Sequence, residues 1–166
     1  MRGGIRDLRA AVKDPEDYTA RSNLMWEAAM AENRIIKLGK KCDFECHQME
    51  HQLGAYTNCN HGEGLAVLHP AYYRHICEDG ARKFARFATE VWGIRPEGRS
   101  ERELARMGVE TLASFIKGIG LPITLRELGV DESTDLKVIA DSCNCSQGAY
   151  KVMTHEEILE IFRECL

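Results

Sequence analysis

Three times along this chain a serine or threonine is followed three residues later by a glutamate: Ser100 with Glu103, Thr124 with Glu127, and Thr154 with Glu157. In such a box the hydroxyl and the carboxylate each satisfy a backbone donor at a helix start, so the pattern predicts where helices begin. Asp14-Pro15-Glu16-Asp17 predicts a fourth start, with a cap, a proline whose missing N–H costs nothing in the first turn, and two acids at the positive helix end. Apolar positions follow at three- and four-residue spacing, and strand-like alternation is scarce. The expected fold class is therefore all-α, a helical bundle.

The first helix is expected to reach about Glu32 with Tyr18, Leu24, Met25 and Ala28 facing inward. A second is expected from Asp43 to about Tyr56, ended by a turn at Asn58-Cys59-Asn60. The stretch His61 to Cys77 is apolar enough to be largely buried, and Pro70 predicts a kink or a break into two shorter helices. Phe84, Phe87, Ala88 and Val91 form a stripe stopped by Gly93, and a terminal helix carries Ile158, Ile161, Phe162 and Cys165 on one face. Loops are expected at Gly118 to Pro122 and at Cys143 to Gly148.

With 166 residues, 44% hydrophobic and 29% charged, the chain can bury one core, and residues 1–166 are read as a single domain. A net charge of -4 supplies no broad cationic field, which speaks against nucleic acid or an anionic membrane surface as partner. The charged run from Arg95 to Arg106 reads as a solvated loop and helix face. No apolar run approaches the roughly 18 residues of a membrane span. Arg2, Arg6, Asp7 and Arg9 stand where a signal peptide needs apolar residues, so a cytoplasmic protein is expected. Seven cysteines, an odd and scattered set, resemble reduced thiols.

His47-Gln48-Met49-Glu50-His51 places two imidazoles four residues apart, on one helix face about one turn apart. After a short turn, His61 can fold back beside that helix, so two of the three imidazoles could meet one ion at roughly 2.0 to 2.2 Å. Gly62 and Gly64 follow at once, where backbone must come close to a ligand or to another helix. Histidine pairs at this spacing are more often solvent-facing or bonded to a carboxylate, which is the plainer alternative. A further alternative is a small structural zinc module, in which Cys42, Cys46 and Cys59 join His47, His51 or His61. The absence of a Cys-x-x-Cys knuckle argues against it. Cys143-Asn144-Cys145 is expected as an exposed thiol loop, and His69, His75 and His155, for which the sequence shows no partner, are expected at the surface.

Taken together, Cys46-His47-Gln48-Met49-Glu50-His51-Gln52-Leu53-Gly54-Ala55-Tyr56 and Asn60-His61-Gly62-Glu63-Gly64-Leu65-Ala66-Val67-Leu68-His69-Pro70 resemble the signature of iron-containing (group III) alcohol dehydrogenases, closest to the butanol dehydrogenase branch. Asp14 to Trp26, Lys83 to Ala88 and Gly148 to Ile161 are similar to other parts of the same C-terminal domain, so nearly the whole chain is covered. The resemblance implies the helical C-terminal domain of the dehydroquinate synthase-like, iron-dependent alcohol dehydrogenase fold. It further implies His47 and His61 as metal ligands for Fe2+ or Zn2+, and His51 as a catalytic residue facing substrate and nicotinamide without binding the ion. The family's two other ligands, an Asp-x-x-x-His pair on an earlier helix, have no equivalent before Asp14, and the NAD(P)-binding N-terminal α/β domain has none either.

The expectation is thus a metal-binding domain that binds its ion weakly and is inactive alone, with a separate dinucleotide-binding half as a possible partner. The competing expectation is a non-catalytic helical remnant that associates with another subunit. Uncovered apolar faces around Met25, Trp26, Leu65 and Leu68 would favour homo-oligomers.

Overall fold

A computed structural model describes all 166 residues, and its elements are helices, turns and loops without a strand. The chain forms two compact units, Met1–Lys41 and Cys42–Leu166.

The first unit holds α1 (Arg2–Lys13), α2 (Tyr18–Glu32) and a single 3-10 turn at Ile35–Lys37. Helix α1 was not foreseen, and it moves the expected cap. Asp14 closes α1 by donating its N–H to the Ala10 carbonyl, and Asp17, not Asp14, opens α2 by accepting from Ala20 N at 2.9 Å. The expected inward face is also corrected: Tyr18 is 83% exposed and Met25 77%, with Trp26 exposed beside them.

The second unit contains α3 (Glu45–Thr57), α4 (His61–Ile76), α5 (Ala81–Arg86), α6 (Glu101–Gly118), α7 (Leu136–Asp141) and α8 (His155–Glu164). Its core is built around Met49, Leu53, Leu68, Tyr72, Ile76, Ile158, Ile161 and Phe162, all essentially without solvent contact. The terminal stripe is as expected, with Cys165 also buried. Pro70 does not break the apolar segment: α4 runs uninterrupted through it, and the ring is buried. Losing one backbone donor there is tolerated because the surrounding helix face is packed into the core.

After α5 the chain widens into one π turn, Phe87–Val91, in which Trp92 N donates to the Phe87 carbonyl five residues back. Gly93, at φ 73°, then ends the helix in the left-handed region. The capping boxes of α6 and α8 are formed as read from sequence. The box at Thr124 and Glu127 is also formed, yet it opens only a 3-10 turn, Arg126–Leu128, cut short by Gly129 at φ 80°. No helix is long and apolar enough to cross a membrane.

Candidate metal centre

The site is made where α3 hands over to α4. The N-terminal end of α3 is fixed by acids: Asp43 accepts from Tyr72 Oη at 2.8 Å and from Ala149 N at 2.8 Å, and Glu45 accepts from Gln147 N at 2.9 Å. At the other end Asn58 takes up the left-handed conformation, φ 57°, and donates its N–H to the Gly54 carbonyl. Asn60 then caps α4, its side chain accepting from Gly62 N and Glu63 N. The turn therefore reverses the chain within three residues and sets His61, the first residue of α4, beside the face of α3 that carries His47 and His51.

Three imidazoles meet there. Ring centroids lie 6.0 Å apart for His47 and His51, 5.5 Å for His47 and His61, and 5.5 Å for His51 and His61. Phe44 stacks on His47 at 4.2 Å with an interplanar angle of 12°, which holds that ring in place. An imidazole bound through one nitrogen at about 2.1 Å has its centroid roughly 3 Å from the ion, so two rings sharing a tetrahedral ion sit about 5 Å apart. The His47 to His61 and the His51 to His61 separations both fit that requirement.

The side chains whose ligand atoms all come within 4.8 Å of one another are Glu50, His51 and His61, a group that leaves out His47 and includes His51. His51 and His61 are exposed and His47 half-buried, whereas Glu50 is only 2% exposed, so the site has a dry floor and an open rim.

Glu50 and His69 were missed by the sequence reading. Glu50 contacts His61 Nδ1 through its carboxylate. Its signal was available: Cys46, Met49, Glu50 and Leu53 are the buried stripe of α3, and an acid on a core stripe demands a partner. His69 is not a partnerless surface residue. It follows His61 and Leu65 at four-residue steps on α4, and its centroid lies 6.1 Å from that of His47. Its Nδ1–H donates to the Leu65 carbonyl at 2.9 Å, and burial pushes its pKa below the usual imidazole value, which favours the neutral ring.

The other two histidines are corrected as well. His75 is half-buried and pairs with Glu164 at 2.9 Å, and His155 is half-buried and donates to the Cys143 carbonyl at 3.1 Å.

None of the seven cysteines is disulfide-bonded, and none joins a cluster of ligand atoms. Cys46 is buried in the core, where burial raises its thiol well above the usual range, so it is poorly disposed to give a thiolate. Cys42 is exposed and Cys59 half-buried. The expected exposed thiol loop is corrected too: Cys143 is buried with its pKa pushed up to about 12, and Cys145 is half-buried.

An all-helical domain in which histidines converge from two helices across a short turn is a candidate metal-site scaffold, and likeness to known proteins narrows it. The model of the Fe-containing alcohol dehydrogenase family, C-terminal, matches residues 4–166, so the chain belongs to that family. It is 33% identical over 169 residues to NADH-dependent butanol dehydrogenase A of Clostridium acetobutylicum, covering 99% of this chain and 43% of that protein. It is 32% identical over 130 residues to the NADPH-dependent aldehyde reductase YqhD of Escherichia coli, covering 78% of this chain and 33% of the relative. The crystal structure of NADH-dependent butanol dehydrogenase A from Thermotoga maritima superposes with a TM-score of 0.88 at 30% identity, over 99% of this chain and 43% of that one. The chain thus spans less than half the length of these relatives.

Proposed function

We propose that this chain is the metal-binding half of an NAD(P)-dependent alcohol or aldehyde oxidoreductase of the butanol dehydrogenase type. The single observation that carries the reading is the convergence of the His47 and His51 rings on His61, each at 5.5 Å, set by a three-residue turn between two helices, and the choice of His47 over His51 as the second ligand follows the family signature. His47 and His61 would hold an iron or zinc ion, to which imidazole nitrogen is well suited. When bound, the ion supplies a Lewis acid that polarises the substrate oxygen. His51, on the open rim beside both rings, faces the substrate and nicotinamide and carries a proton at a ring nitrogen to or from solvent.

The names of the relatives support the nicotinamide and the alcohol–aldehyde chemistry. Two histidines form half of a four-coordinate set, so the 166 residues by themselves are expected to bind the ion weakly and to turn over no alcohol. A dinucleotide-binding partner and self-association through the exposed apolar side chains of α2 belong to the same proposal.

Calorimetric titration with Zn2+ tests it. His47→Ala and His61→Ala should each weaken binding by about tenfold or more, while His51→Ala should leave it within about threefold. Equal losses in all three variants would contradict the assignment of His51 as a residue that leaves the ion alone.

A further inference from the structure

The buried carboxylate beside His61 has no task in the reading above. Glu50 is 2% exposed on the core side of α3, and its carboxylate meets His61 Nδ1 across the turn. The two helices leave a fitted space for it. A methyl group placed on Gly64 would come within 2.9 Å of both Glu50 Cγ and Glu50 Oε1, and one on Gly54 within 3.4 Å of Glu50 Oε1. The glycine three residues after His61 is thus required by a close approach, and what approaches is this carboxylate.

We propose that Glu50 is a positioning residue for His61: by accepting from Nδ1–H it fixes the ring's tautomer and orientation and leaves Nε2 as the nitrogen that faces an ion. A carboxylate has only acceptors to offer, so its partner nitrogen must carry the hydrogen. A neutral imidazole protonated at Nδ1 then has its one lone pair on Nε2. Outer partners of this kind tune metal affinity by about 10- to 100-fold in general. Gly64 and Gly54 serve the same end by admitting the carboxylate. The metal part of this inference rests on the function proposed above, whereas the tautomer does not.

Two measurements judge it. In the ion-free chain, long-range 1H–15N spectra should show His61 protonated at Nδ1, although Nε2–H prevails for a free imidazole in water. Glu50→Ala should return His61 to Nε2–H and weaken Co2+ binding by about 10- to 100-fold. Glu50→Gln, whose amide oxygen still accepts from Nδ1–H, should stay within about threefold of the parent chain. Gly64→Ala, which displaces the carboxylate without removing it, should fall between the two and covers the case in which Glu50→Ala fails to fold.

Nε2–H at His61 in the parent chain would overturn the proposal, as would undiminished Co2+ binding by Glu50→Ala. Glu50→Gln as weak as Glu50→Ala, with His61 still protonated at Nδ1, would overturn it by making Glu50 a ligand itself. If the parent chain bound no Co2+ at all, the metal reading would fail, and the tautomer would still decide the role of Glu50.

Discussion

Of the hydrophobic side chains buried in this protein, only Ala20 belongs to Met1–Lys41, while Cys42–Leu166 supplies all the others. Both stretches are helical, and both carry large apolar residues. In the first, Tyr18, Met25, Trp26, Ile35, Ile36 and Leu38 are exposed. In the second, the residues at helical spacing on α3, α4 and α8 close on one another with no solvent contact. About 40 residues are too few to enclose a core of their own. Helical periodicity therefore tells which way a residue points along its helix, and burial depends on whether something in the chain stands opposite.

The strongest way to break this contrast is at its extremes. Phe162, at 0% exposure, should cost about 3 to 5 kcal/mol on replacement by alanine, read from chemical denaturation. A loss below about 1 kcal/mol would mean that the second unit is not packed as described.

Next comes Glu45, fully buried at the start of α3 with one oxygen lacking any hydrogen-bond partner. Burial raises its pKa above the ordinary carboxylate value. A raised folded-state value means that the native state holds its proton longer than the unfolded chain does. The contribution is therefore full below the ordinary value and is lost as pH rises through the raised one. Glu45→Gln should flatten that decline in stability melts across the mildly acidic range, and an unchanged slope would remove Glu45 as its source.

Smaller still, Thr154→Ala deletes the α8 cap and should cost about 1 kcal/mol. At the far end, Met25→Ser with Trp26→Ser should shift stability by no more than about 0.5 kcal/mol while reducing any dimer seen in sedimentation. A large loss of stability from that pair would erase the distinction between the two regions.

The same contrast explains what the sequence made legible. The all-α class, the boxes at Ser100 and Thr154, the buried face of α8 and the turn at Asn58 to Asn60 are local, each set by residues a few positions apart. The convergence of His47, His51 and His61 followed because helix spacing and one short turn fix it. What escaped was tertiary. The outward face of α2 depends on what lies opposite it. Pro70 was accommodated because packing outweighed one lost hydrogen bond. The Thr124 box opened only a 3-10 turn because Gly129 follows so soon. Glu50 and His69 were passed over because a charged or polar residue on a core stripe was not followed to its partner across the turn.

Placing His47 and His61 together on one ion is the central claim, and paramagnetic broadening by Mn2+ tests it most directly. The account predicts that the ring resonances of His47 and His61 vanish first, at equal metal concentrations, while those of His75 and His155 persist. Broadening that begins at His75 or His155, or that leaves the His47 ring untouched, would contradict it.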